Sequence, residues 1–169
     1  MANYLITGCN RGIGLEYCRQ LKERGEEVIA TCRKSSKELD DLGVRVEKEV
    51  DVSSGNSVIN LINKLKNKRI DVLIHNAGIY EYNELSKIDP ESIIRQFEIN
   101  ALSPLCFTRA ILGNLNEGSK IIFMTSRMGS IEDNTSGGSY GYRMSKVALS
   151  MAAKSLSIDL SREDIYVAI

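Results

Sequence analysis

Apolar and polar positions along this chain come in blocks whose period switches between two residues and three to four. Asn3–Thr7 is a short apolar run that predicts a first strand. Ile13–Arg24 then takes helical spacing, with Ile13, Tyr17 and Leu21 on one face and Gly25 as a stop. Glu27–Cys32 and Val44–Val50 predict strands two and three, and Ser54–Asn67 a helix that buries Val58, Ile59, Ile62 and Leu65. Ile70–His75 is almost continuously apolar, the pattern of a strand covered on both faces. Asp89-Pro90-Glu91 offers a capping carboxylate and then proline at the first helical position, so a helix is expected from there to about Leu112. Lys120–Thr125 predicts strand five, Arg127–Gly141 a polar loop, Tyr142–Ser161 a helix and Asp164–Ile169 strand six. Strands that alternate with helices imply a parallel sheet with right-handed crossovers. The expected fold is α/β, a Rossmann-type doubly wound sheet of strand order 3-2-1-4-5-6 in a single domain over residues 1–169.

Composition narrows the function. Lys plus Arg and Asp plus Glu both number 22, and no basic block stands out, so nucleic acid is not an expected partner. No apolar run approaches a membrane span, and the N-terminus opens without a basic region and leader-like apolar stretch. The expectation is a cytoplasmic chain. Cys9, Cys18, Cys32 and Cys106 have neither C-x-x-C nor zinc-ligand spacing, which predicts buried free thiols and no metal site. His75 is the one histidine, so a histidine-based triad has no support.

Candidate chemistry sits in two motifs. Thr7-Gly8-Cys9-Asn10-Arg11-Gly12-Ile13-Gly14 joins the first strand to the first helix. Glycines there permit a tight turn, close approach of a pyrophosphate to the backbone, and helix–strand packing. The helix start adds free N–H groups and partial positive charge. At the end of strand two, where an acid would bind the ribose 2′-hydroxyl of NAD, the chain reads Ala30-Thr31-Cys32-Arg33-Lys34. With Arg33 there, and Arg11 in the turn, NADP(H) is expected over NAD(H). The other reading makes Arg33 and Lys34 solvated loop charges. The second motif, Tyr142-Arg143-Met144-Ser145-Lys146, puts a phenol and an ammonium at i and i+4 on one helix face. A nearby ammonium favours the phenolate, which suits a tyrosine to acid–base work at neutral pH. Alone, such a pair is more often an ordinary surface contact.

Taken in order, these residues resemble the short-chain dehydrogenase/reductase family along the whole chain. Thr7–Gly14 matches its cofactor turn, Asp51-Val52 the acid after strand three, Asn76-Ala77-Gly78 the end of strand four and Asn100 the helix asparagine. Ser126 matches the serine after strand five, and Tyr142 and Lys146 the catalytic pair. Ser126–Ile131 and the Gly-Ser-rich loop look most like the carbonyl-reductase branch that includes C-factor-like proteins. The resemblance implies a catalytic set of Ser126, Tyr142, Lys146 and Asn100. Ser126 would polarise a carbonyl, Tyr142 would protonate it, Lys146 would hold the nicotinamide ribose, and Asn100 would anchor a water. It implies a cofactor site at Gly8, Asn10, Arg11, Gly12, Ile13, Gly14, Arg33, Asp51, Val52, Asn76, Ala77, Gly78, Tyr142 and Lys146. Asn76 and Gly78 would use their backbone. The implied substrate is a small carbonyl compound or alcohol, with Tyr80, Tyr82, Met128 and Tyr140 as remaining pocket candidates. Tyr140, Ser130 and Ser139 lie off the motif positions, and His75 reads as structural. Ile94, Phe97, Leu102, Leu105 and Ile111 give the 91–112 helix more apolar surface than one sheet face needs, which with the resemblance predicts a homodimer or homotetramer. Family members continue into a substrate lid and a seventh strand, expected to be absent here. The alternative function is a dinucleotide-binding or signalling module without useful catalysis.

Overall fold

The computed structural model describes residues Met1–Ile169. Six strands, β1 (Asn3–Thr7), β2 (Glu27–Thr31), β3 (Arg45–Glu47), β4 (Val72–His75), β5 (Lys120–Phe123) and β6 (Tyr166–Ala168), form one sheet in the order β3-β2-β1-β4-β5-β6. Every pairing is parallel, with Leu5 opposite Leu73 and Ile74 opposite Ile122. This is the expected topology. Successive side chains leave a strand on opposite faces, and the two cores follow from that. Leu5, Leu73 and Ile121 pack with Phe107 and Leu149 on one side, while Ile6, Ile74 and Ala30 pack with Cys18, Leu21 and Leu39 on the other. The helices are α1 (Gly12–Glu23), α2 (Lys37–Asp41), α3 (Gly55–Lys64), α4 (Pro90–Phe97), α5 (Ser103–Ile111) and α6 (Tyr140–Asp159).

Several expectations need correction. The buried stripe of α1 is Gly14, Cys18 and Leu21, and Ile13 is 61% exposed. Its helical phase is set by Gly14, which has to face the sheet. Ile59 is exposed while Leu61 takes the core position on α3. Strand three is three residues long, and α2, capped by Ser36 Oγ on the Leu39 amide at 3.2 Å, lies in a stretch expected to be loop. The 91–112 helix is not continuous. A π-helical turn at Glu98–Leu102 separates α4 from α5, with the Ser103 amide bonded to the Glu98 carbonyl. Pro104 has no N–H to give the carbonyl four residues back, at Asn100, so the α pattern cannot run through. Ile111, expected on the surface stripe, is fully buried, whereas Ile94, Phe97 and Leu102 are exposed. Cys9, Cys18 and Cys32 are buried, but Cys106 of α5 is exposed. Within the expected polar loop, Arg127–Gly129 makes a 3₁₀ turn, and α6 begins two residues early, at Tyr140. No helix is long and apolar enough to cross a membrane.

Candidate active site

All strands point the same way, so their carboxyl ends share one edge. The strand order reverses between β1 and β4, and a crevice at such a switch point is where open α/β sheets bind ligands. There β1 and β4 are latched together. Thr7 Oγ1 accepts the amides of Asn76 (3.1 Å) and Ala77 (3.0 Å), and Asn76 Nδ2 donates to the carbonyls of Thr7 and Gly8, both at 3.0 Å. Gly8 turns the chain with φ 73°. Gly14 packs so tightly that a Cβ on it would fall 2.3 Å from the Gly8 carbonyl oxygen and 2.5 Å from Asn76 Nδ2. Arg11 stands at the N-cap of α1 with no side-chain capping bond, and the first turn holds no acid. The positive end of α1 is therefore uncompensated at the crevice, beside exposed Arg11, Gly12 and Ile13 and half-buried Asn10. An anion such as a pyrophosphate fits this chemistry.

Arg33 and Lys34 extend exposed beyond β2. Asp51, half-buried beyond β3, accepts the Ser53 amide (3.0 Å) and hydroxyl (2.7 Å). The Ser53 hydrogen bonds hold the Asp51 carboxyl below its usual range, and the nearby Arg33 charge adds to this. Val52 faces a largely apolar cavity of about 290 Å³ between α3 and α5, which Leu102, Cys106 and Phe107 also line.

The residues predicted as catalytic lie on the β4–β5 side. Asn100, 1% exposed, sits within the π-helical turn. Its Oδ1 accepts the Ile79 amide at 2.8 Å, and its Nδ2 donates to the Ile79 carbonyl (2.8 Å) and to Ser145 Oγ (3.0 Å). Ser145 Oγ donates in turn to the Tyr142 carbonyl at 2.7 Å. Lys146 Nζ donates to the Met124 carbonyl at 2.7 Å and lies 5.6 Å from the centroid of the Tyr142 ring, as i, i+4 spacing requires. Burial pushes the Lys146 ammonium down to about 8. Gly78 lies against both Asn100 and Lys146. Ser126 follows β5, and its Oγ accepts the Met128 amide at 3.2 Å. Tyr140 is two residues from Tyr142, about 200° round the helix, and so projects elsewhere. Ser139 is buried, with its hydroxyl 3.0 Å from that of Tyr80, and Ser130 is exposed. His75 is buried, stacked on Phe123 at 4.8 Å, and shares a 2.8 Å hydrogen bond with Thr108. Desolvation pushes its pKa down to about 3, so it is neutral.

Sequence reasoning missed three polar residues close to this group: Ser145, Asn83 and Gln96. Ser145 lies inside the Tyr–Lys motif, and its burial follows from the same helix face. Asn83 and Gln96 carry no local signal, because their partners lie up to 58 residues away in sequence.

The family model for short chain dehydrogenases matches residues 2–169. The chain is 42% identical, over 99% of its length, to 1-hydroxy-2-glutathionyl-2-methyl-3-butene dehydrogenase of Rhodococcus sp. (strain AD45), and covers 75% of that protein. It is 48% identical to the C-signal of Myxococcus xanthus across 56% of its own length and 58% of that protein's. The NADPH-bound carbonyl reductase from chicken fatty liver superposes with a TM-score of 0.88 at 27% identity, over 99% of this chain and 74% of that one. The chain belongs to the short-chain dehydrogenase/reductase family of oxidoreductases.

Proposed function

We propose that residues 1–169 form the dinucleotide-binding domain of an NADP(H)-dependent oxidoreductase that reduces a ketone or aldehyde, or oxidises the matching alcohol. The observation that carries this is that Lys146 lies beside Tyr142 and packs against Gly78 and against Gly129 of the turn that Ser126 opens, at the sheet edge where Asn76 bonds the Gly8 turn and Asn100 bonds Ser145. Gly8, Asn10, Arg11, Gly12, Ile13 and Gly14 would hold the pyrophosphate, Asp51 and Val52 the adenine end, and Asn76, Ala77 and Gly78 the central part. Arg33 and Arg11 would favour a 2′-phosphate. The NADP(H) preference draws further support from the NADPH bound to the avian relative. Bound there, the cofactor supplies a hydride donor.

The protein's part is to place and move a proton. The Ser126 hydroxyl uses a lone pair on the Met128 amide, which leaves its O–H free to donate to a carbonyl oxygen and stabilise charge developing on it. Tyr142 donates its phenolic proton to the same oxygen as the alcohol forms. Lys146 spends one of three N–H donors on the Met124 carbonyl, so two remain for a ribose. Asn100 holds the Ile79 backbone and Ser145, which fixes the wall behind Lys146.

Kinetics and cofactor titration of Tyr142→Phe test this reading. The rate of aldehyde reduction should fall by about 10²–10⁴-fold, as expected for loss of a positioned acid, with NADPH affinity little changed. A wild-type chain that binds NADPH and reduces no ketone or aldehyde would leave the binding-module reading in its place.

A further inference from the structure

Helix α6 carries Tyr142 and Lys146 in its first two turns, yet its start has no cap of its own. A helix N-terminus ordinarily receives an oxygen from its N-cap side chain. Ser139, at that position, is left-handed (φ 50°, ψ 40°), makes no capping bond, and turns its hydroxyl to Tyr80 instead. The cap comes from the segment after β4. Asn83 Oδ1 accepts the Gly141 amide at 3.2 Å, and the Asn83 carbonyl accepts the Ser139 amide at 2.7 Å.

Asn83 is itself held from behind. Its Nδ2 donates to Ser92 Oγ at 3.2 Å. Gln96, which has no solvent exposure, shares the two N–H donors of its Nε2 among Asn83 Oδ1 (3.3 Å), Ser92 Oγ (3.3 Å) and the Glu81 carbonyl (3.1 Å). Gln96 Oε1 accepts the Glu81 amide at 3.0 Å. The fit is close, since a Cβ on Gly141 would lie 2.6 Å from Gln96 Nε2. Tyr80, from the same segment, sets its ring edge-on to Tyr142 with centroids 5.1 Å apart.

We propose that Asn83 and Gln96 are positioning residues, a buried amide lock that fixes the first turn of α6 and with it the Tyr142 hydroxyl. This rests on the reading of Tyr142 as proton donor. Neither amide touches the reacting atoms. A buried polar cluster of this kind is either fully paired or broken, because each orphaned donor or acceptor is costly in a dry site. Breaking it releases the Gly141 amide and lets the left-handed Ser139 relax, which moves the start of α6.

The test uses the full-length protein with NADPH and 4-nitrobenzaldehyde as probe. Asn83→Ala and Gln96→Met should lower kcat by about tenfold to a hundredfold, the scale of a roughly 1 Å misplacement, with KM and NADPH affinity nearly unchanged. Asn83→Asp keeps the accepting oxygen and should restore kcat. Amide hydrogen exchange in residues 140–144 should quicken in Asn83→Ala, while exchange in β1 and β4 stays put. Asn114→Ala is the control for a purely structural loss. It removes part-buried bonds to the Leu65 and Lys68 carbonyls, far from the site, and should keep kcat. If Asn83→Ala does not fold, Gln96→Met and Asn83→Asp decide by the same two readouts. The lock is overturned if Tyr142→Phe is inactive while Asn83→Ala and Gln96→Met turn over normally, or if Asn114→Ala loses as much kcat as they do. It is also overturned if exchange rises evenly through the sheet. A Tyr142→Phe variant as fast as wild type instead brings down the proton-donor reading, and the positioning role falls with it.

Discussion

Lys146 is the residue where stability and the proposed chemistry pull in opposite directions. Burial depresses its pKa from 10.5 to about 8, so the unfolded chain holds the proton more firmly than the folded one. Stability linked to this group is present above pH 10.5 and lost as pH falls through about 8. At neutral pH the fold therefore carries the full cost of a buried ammonium. Lys146→Met should be more stable than wild type at pH 7, with the difference closing towards pH 10, as urea midpoints would read. In the wild type, NADPH affinity should weaken as pH rises through about 8, where the ammonium is lost. His75 behaves in the same sense at lower pH. Its folded pKa of about 3 lies below the ordinary 6.5, so its contribution is present above pH 6.5 and fades as pH falls towards 3. His75→Asn should remove part of the loss of stability between pH 7 and pH 4.5, measured by the same urea midpoints. The motif residues could all be named from sequence, because the chemistry of phenol, ammonium and glycine is carried by residue type and order. Asn83 and Gln96 could not, since an amide has no spacing signature until its partners are in place.

Among the elements, the glycine turn and the helix after β4 show what local pattern does and does not decide. Gly14 sets the phase of α1, and Gly14→Ala would drive a methyl against the Gly8 carbonyl and Asn76 Nδ2. That variant should lose about 1–3 kcal/mol of stability to overpacking, with NADPH binding weakened because the turn is displaced. Thermal or urea unfolding alongside a fluorescence titration would check both. The apolar Ile13 looked like core on period alone, but the close approach at Gly14 outranks it and turns Ile13 to the open edge. Between α4 and α5, Pro104 was present in the sequence as a cue to the π-helical turn, yet the long apolar periodicity hid it. The early start of α6 had no cue at all. Tyr140 and Gly141 are helical because Asn83 caps them from across the site.

Ile94, Phe97 and Leu102 on the α4–α5 side and Met144 and Met151 on α6 are all exposed, more apolar surface than a lone subunit needs. Sedimentation velocity at micromolar concentration should find a dimer or tetramer, and Ile94→Glu combined with Phe97→Arg should shift it to monomer. In the proposed reading, cofactor choice rests on Arg33 beyond β2. Arg33→Ala should narrow the preference for NADPH over NADH by about 1–3 kcal/mol, the value of a charge-assisted contact, in paired fluorescence titrations.

The sequence alone determined the six strands and their parallel order, most of the helices and the position of the glycine turn, and it nominated Ser126, Tyr142, Lys146 and Asn100. Hydrophobic period, glycine and proline punctuation and motif order are properties of neighbours along the chain, so they survive without coordinates. Only the tertiary structure decided which faces were buried at Ile13, Ile59 and Ile111, where α6 begins, and what stands behind Tyr142. Those depend on partners brought together by folding: the Gly8 carbonyl against Gly14, the Ile79 backbone against Asn100, and the Asn83 amide against Gly141. A buried hydrogen bond between residues distant in sequence is strong because water is excluded from it, and the exclusion of water exists only once the layers have packed.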